Sequence, residues 1–143
     1  LAKTEVASNQ DKILELEKGL EETDILSLST PLTDETKNFI TMKEMSLMKK
    51  NAIIINISRG GVVNEKDLNT ALNNKIISFA GLDVFEKEPV DKDNPLLKNN
   101  RVILSPHSAT FTNECKSRMS IETTKNIIDF FNNKIDKSMI VKL

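Results

Sequence analysis

Tryptophan and tyrosine are absent from this chain, and histidine and cysteine occur once each, as His107 and Cys115. One cysteine excludes an internal disulfide and fits a reducing compartment, the cytoplasm. A single histidine and a single cysteine also argue against a structural zinc site, so no metal is expected. No apolar stretch approaches the roughly 18 residues of a membrane span, and no membrane partner is expected. Long basic runs are missing and the formal net charge is −1, which argues against nucleic acid as a partner. The opening Leu1-Ala2-Lys3-Thr4-Glu5 is no signal peptide. It also has no initiator methionine, which predicts a piece of a longer polypeptide. What is present, 38% apolar and 29% charged residues over 143 positions, suits one ordinary globular domain with a real core. The bias towards Asn, Lys and Ile reads as genomic and carries no function. No internal repeat, low-complexity linker or second domain is visible.

The chain is organised around Ala52 to Val63, A-I-I-I-N-I-S-R-G-G-V-V. An apolar run stops at Ser58, a charged Arg59 follows, and two glycines come next. That pattern predicts a central parallel strand delivering an arginine to the rim where open α/β sheets bind ligands. Before it, residues 4–7 suggest an edge strand and residues 13–22 a helix, with Ile13, Leu16 and Leu20 at helical spacing. A short strand over 25–29 must end at Thr30-Pro31, because proline has no N–H for the ladder. Thr41-Met42-Lys43-Glu44 is a capping box and opens a helix with Met45 and Met48 inward. Asn64 caps the next helix, whose Leu68, Ala71 and Leu72 face inward. Strands follow over 79–84 and 101–105, then a helix over about 112–131. Alternating strands and helices at this spacing predict a parallel sheet with helices on both faces and right-handed crossovers.

Successive strand ends carry polar groups to the same rim: Arg59, then Asp83 and Glu88, then His107. Arginine suits two-pronged binding of a carboxylate. His107 is the only side chain here whose ordinary pKa suits proton transfer near neutral pH. Glu88 is placed to accept a hydrogen bond from the imidazole and favour its protonated form. Together the three suggest polarising a carbonyl beside a carboxylate and protonating its oxygen, the acid–base half of reducing a 2-oxo acid. Each residue also has a plainer reading. A histidine after proline is ordinarily a loop residue, Arg-Gly-Gly after a strand reads equally as a simple turn, and Asp83 and Glu88 are more often solvated charges. Cys115 reads as an inert packing residue.

Four ordered segments carry a more specific signal: L-E-E-T-D-I-L-S-L-S-T-P-L-T-D-E-T, I-N-I-S-R-G-G-V-V-N-E-K-D-L, A-G-L-D-V-F-E-K-E-P and N-P-L-L-K-N-N-R-V-I-L-S-P-H. From about Leu16 to Phe131 the chain resembles the D-isomer-specific 2-hydroxyacid dehydrogenases, in the carboxyl-terminal half of their NAD-binding domain. The resemblance implies a doubly wound, Rossmann-like parallel α/β sheet. It puts the family's catalytic arginine, glutamate and histidine on Arg59, Glu88 and His107. It puts the aspartate that holds the nicotinamide carboxamide on Asp83, and cofactor-lining positions on Thr30, Pro31, Ile57 and Ser58. His107 also belongs to that cofactor-lining set. The implied cofactor is NAD or NADP, the implied substrate a small 2-oxo or 2-hydroxy acid, and the implied assembly a homodimer.

The chain departs from the family as well. The glycine-rich loop G-x-G-x-x-G is not in it, nor are the fold's first two strands or the residue that selects NAD over NADP. Residues 1–133 correspond to half of the nucleotide domain, and 134–143 to a tail that would return to an absent substrate domain. The strand over 25–29 is therefore expected to present a free edge, which a partner or the rest of a longer polypeptide would cover. Two other functions fit the same residues: an NAD-sensing binding protein resembling the family's transcriptional co-repressors, or an inactive truncated product.

Overall fold

The structure, a computed structural model, describes residues 15–140. The strand expected over 4–7 and the first two residues of the helix expected from Ile13 lie outside the described residues. The chain divides into two compact units, Leu1–Pro106 and His107–Leu143. No described helix is long and apolar enough to cross a membrane.

The first unit follows the expected alternation. Helix α1 (Leu16–Glu22) precedes β1 (Ile25–Leu28), α2 (Met42–Leu47), β2 (Ile53–Asn56), α3 (Glu65–Asn73), β3 (Phe79–Leu82), a 3-10 turn (Pro95–Lys98) and β4 (Val102–Leu104). The four strands form one sheet in the order β1-β2-β3-β4, and every neighbouring pair is parallel. Ile25, Ile53 and Phe79 stand side by side across the strands, and Ile55, Gly81 and Ile103 form another such row.

Local chemistry sets the helix starts. The Thr41 side chain accepts the Lys43 N–H, and the Glu44 carboxylate takes the Thr41 N–H at 3.0 Å, so the capping box closes as expected. Asn64 caps α3 by accepting the Asp67 N–H at 2.9 Å. The Asp67 carboxylate in turn accepts the Met42 N–H at 3.0 Å, which ties the start of α2 to the start of α3.

One core joins these elements. Met45 of α2 and Met48 at its end, Leu68, Ala71 and Leu72 of α3, and Leu28, Ile54, Ala80 and Leu82 of the sheet are all buried in a single cluster. All of those sheet residues lie on one face. On the opposite face Ile25, Phe79 and Ile103 are exposed. Helices on both faces were expected, and the described residues of this unit cover one. The reason is the winding. The strand order never reverses, and crossovers of one hand that always step the same way land on the same side. This is one winding of the Rossmann-like fold.

In the second unit, α4 (Asn113–Phe131) starts at Thr112, whose side chain accepts the Cys115 N–H at 3.1 Å. None of its residues is buried, and Met119, Ile127, Ile128, Phe130 and Phe131 are exposed. A second 3-10 turn covers Lys137–Met139.

Candidate active site

Strand β2 ends on a buried asparagine. Asn56 alternates with the buried Ile54, so period two turns its side chain into the core. There its Oδ1 accepts the Ser58 N–H at 3.1 Å and the Ser58 hydroxyl at 2.8 Å, while Nδ2 donates to the Arg59 carbonyl at 3.0 Å. One side chain thus shapes the whole turn that presents Arg59. The Arg59 side chain is exposed and donates from Nη1 to the Ser58 carbonyl at 2.7 Å. Among the described residues it forms no ion pair, which leaves its charge available to an anion.

Beyond the turn, Gly60 lies against the loop that follows β3. A Cβ at this position would overlap the Phe85 carbonyl, so only glycine fits. Gly61 has φ 81, in the left-handed region that glycine adopts without strain.

At the carboxyl ends of β1 and β2, Ser29, Thr30, Pro31, Ile57, Ser58 and Arg59 line an open depression of about 340 Å³. Four of the positions expected to line a cofactor, Thr30, Pro31, Ile57 and Ser58, therefore meet Arg59 in one place. Thr30 Oγ1 is buried there without a hydrogen-bond partner. A hydroxyl so placed costs about 1–3 kcal/mol until something bonds to it. That unmet hydrogen-bonding capacity fits the polar end of a dinucleotide, and Thr30, Ser58 and Asp83 are the residues that would hold it. The part of the site that would cradle the pyrophosphate has no counterpart in this sequence, which contains no G-x-G-x-x-G.

Asp83, the residue after β3, is 3% exposed, so the reading of a solvated charge does not hold for it. Its N–H donates to the Asn56 carbonyl at 3.0 Å, and its Oδ1 accepts the Ser105 hydroxyl at 2.6 Å. The register explains the pairing, since Leu82 stands beside Leu104 and the next residues are Asp83 and Ser105. Glu88 is exposed in the loop after β3, and its Oε1 accepts the Phe85 N–H at 3.0 Å. His107 opens the second unit. It is exposed and has φ 51, a left-handed backbone that residues with a Cβ adopt sparsely and that concentrates at functional sites.

Three residues of this region escaped the sequence reading. Asn56 had a partial signal, a polar residue at the end of an apolar strand whose isoleucines do not show which face is inward. Ser105 had one as well, through its register with Asp83. The third, Glu65, bonds partners far along the chain and had none.

Comparison with known proteins identifies the family. The family described as D-isomer specific 2-hydroxyacid dehydrogenase, NAD binding domain, matches residues 2–109. The chain is 46% identical over 125 residues to a glyoxylate reductase of Korarchaeum cryptofilum, covering 87% of this chain and 38% of that protein. It is 44% identical over 126 residues to glyoxylate/hydroxypyruvate reductase B of an Enterobacter species, covering 88% and 39%. Among solved structures, D-lactate dehydrogenase with NAD+ from Lactobacillus jensenii superposes with a TM-score of 0.80 at 32% identity, covering 91% of this chain and 43% of that one. The chain spans about two fifths of the length of these relatives. With most of its length matched by that family, the chain belongs to the D-isomer specific 2-hydroxyacid dehydrogenases, in their NAD-binding domain.

Proposed function

We propose that the protein carrying this chain is a cytoplasmic, homodimeric D-2-hydroxyacid dehydrogenase that reduces a small 2-oxo acid with NADH or NADPH. The observation that supports it most is the depression shared by Thr30, Pro31, Ile57, Ser58 and Arg59, beside a buried threonine hydroxyl that has no hydrogen-bond partner. Bound reduced cofactor supplies the hydride. Arg59 takes the substrate carboxylate between its guanidinium nitrogens and so orients the 2-oxo group. Thr30, Ser58 and Asp83 bind and orient the nicotinamide end. His107 donates a proton to the carbonyl oxygen as the alcohol forms, and Glu88 positions and tunes that histidine. Glyoxylate and hydroxypyruvate are the first substrates to try, because relatives bear those names.

The test is oxidation of NADH and NADPH by 2-oxo acids in the full-length protein. His107→Ala should lower turnover by roughly 10²–10⁴-fold, the share that general acid catalysis supplies. Turnover unchanged by that substitution would remove His107 from the mechanism. Arg59→Ala should raise KM for the 2-oxo acid by on the order of 10–100-fold, the worth of charged hydrogen bonds to a carboxylate. An unaltered KM would refute the carboxylate role.

A further inference from the structure

Glu65, the first residue of α3, has no part in the chemistry proposed above. Its two carboxylate oxygens nevertheless reach two ends of one loop. Oε1 accepts the Glu86 N–H, and Oε2 accepts the Asn94 side-chain N–H at 2.7 Å. Residues 86–94 between those contacts contain no helix or strand, and Glu88 lies within them. The far end is well founded. Asn94 caps the 3-10 turn by accepting the Leu96 N–H, and Leu96 is completely buried. The near end is held where Phe85 meets Gly60.

Inside the loop, Glu88 Oε1 accepts the Phe85 N–H at 3.0 Å and the Asp91 carbonyl accepts the Asn94 N–H at 2.9 Å. Lys87 and Asp91 pair at 2.7 Å, but their side chains are 70% and 63% exposed. Such a surface pair contributes little. Residues 86–89 are themselves exposed, and a loop of this kind opens readily unless something fixes its ends. Glu65 does that at both ends at once, from the first position of α3.

We infer that Glu65 is a positioning residue whose carboxylate staples residues 86–94 and thereby fixes Glu88 relative to Arg59. What the position of Glu88 does for the reaction rests on the dehydrogenase reading. The staple itself does not.

Two measurements on the full-length protein test it. The first is amide hydrogen exchange at Phe85 and Asn94, whose N–H groups bond Glu88 Oε1 and the Asp91 carbonyl and donate nothing to Glu65. Glu65→Ala should speed it by about tenfold or more, while amides in the second half of α3 stay as they were. Unchanged exchange overturns the staple whatever the kinetics show. The second is steady-state reduction of a 2-oxo acid. Glu65→Ala should lower kcat by on the order of tenfold and leave KM within about threefold, since a misplaced auxiliary group slows chemistry more than capture. Glu88→Gln should show the same split, and Arg59→Ala the opposite one. Glu65→Gln keeps one acceptor and should recover part of the lost kcat.

Faster exchange with kcat unchanged, while Glu88→Gln lowers it, would overturn the positioning role and leave the dehydrogenase reading intact. If Glu88→Gln and His107→Ala are also silent, the dehydrogenase reading fails and exchange alone judges the staple. Should Glu65→Ala not fold, Asn94→Ala removes one of the two ties and is expected to speed exchange in the same loop. No change there would equally overturn the staple.

Discussion

On one face of the sheet Leu28, Ile54, Ala80 and Leu82 are buried, and on the other Ile25, Phe79 and Ile103 are 58%, 45% and 80% exposed. The side chains are equally apolar, so composition does not separate the faces. What separates them is the path of the chain. Each connection from strand to strand steps in the same direction, and α2 and α3 bring Met45, Leu68 and Leu72 onto the same side. The lesson concerns parallel sheets in general. Their strands read as continuous apolar runs, and which face a given winding covers is a property of strand order rather than of any single strand.

The largest expected effect comes from breaking the covered face. Ile54 has no exposed surface and lies in the middle of β2, between β1 and β3. Ile54→Ala should destabilise the protein by about 2–5 kcal/mol, as removal of a buried aliphatic side chain leaves a cavity that packed neighbours fill only in part. Urea unfolding midpoints measure it. A loss below about 1 kcal/mol would mean that this face is less tightly packed than its burial indicates.

Legibility divided along the same line. Local signals were readable: the capping box at Thr41, the Asn64 cap, the strands over 53–56 and 79–82, and the arginine delivered to the rim after β2. The inward methionines Met45 and Met48 were readable too, because helical spacing marks a face. Ile53, Ile54 and Ile55 carry no alternation, so nothing in them tells the buried middle residue from its half-exposed neighbours. The apolar positions of α4 are a helical example, since Met119, Ile127 and Phe131 mark a stripe that stays exposed. Side-chain bonds between distant residues were invisible for a different reason. Glu65 finds its partners 21 and 29 positions along the chain, and no local pattern encodes such a meeting. At the rim, Arg59 and the cofactor-lining residues were found through chemistry and resemblance. Asn56, the residue that shapes their turn, hid among isoleucines.

A smaller effect sharpens the comparison by loosening the covering helix instead of the sheet. Burial by itself raises the pKa of the Glu44 carboxyl. The hydrogen bonds it accepts from the Thr41 hydroxyl at 2.6 Å and from the Thr41 N–H at 3.0 Å, with its own N–H and the Lys43 charge, outweigh that and hold it below the usual glutamate value. A carboxyl depressed in the folded state favours that state only while ionised. Its contribution is whole above the glutamate pKa of the unfolded chain and disappears as pH falls through the lower folded value. Glu44→Gln should therefore cost about 0.5–1 kcal/mol at neutral pH, in the range of other cap losses. The gap between variant and parent should close as acidity enters that window. Denaturation series at several pH values would show it, and a gap constant with pH would rule out the ionised cap as its source.

The smallest effect is expected on the open face. Ile103, in β4, is 80% exposed, while Val102 and Leu104 beside it turn towards the core. In the 143-residue chain, Ile103→Ala should change stability by no more than about 0.5 kcal/mol, as for other exposed substitutions. An exposed apolar face bearing Ile25, Phe79 and Ile103 is nonetheless a surface that water does not favour. Measured over a range of protein concentrations, the same substitution therefore separates two states of that face. A small loss independent of concentration means that the face meets solvent and the contrast between the two sides is real. A loss of about 1–3 kcal/mol would mean that the isoleucine is covered in solution, because only removal of a side chain from water gives a deletion that much weight. If the larger loss grew with concentration, the cover would be a second copy of the chain. If it did not, the cover would be a part of the same polypeptide.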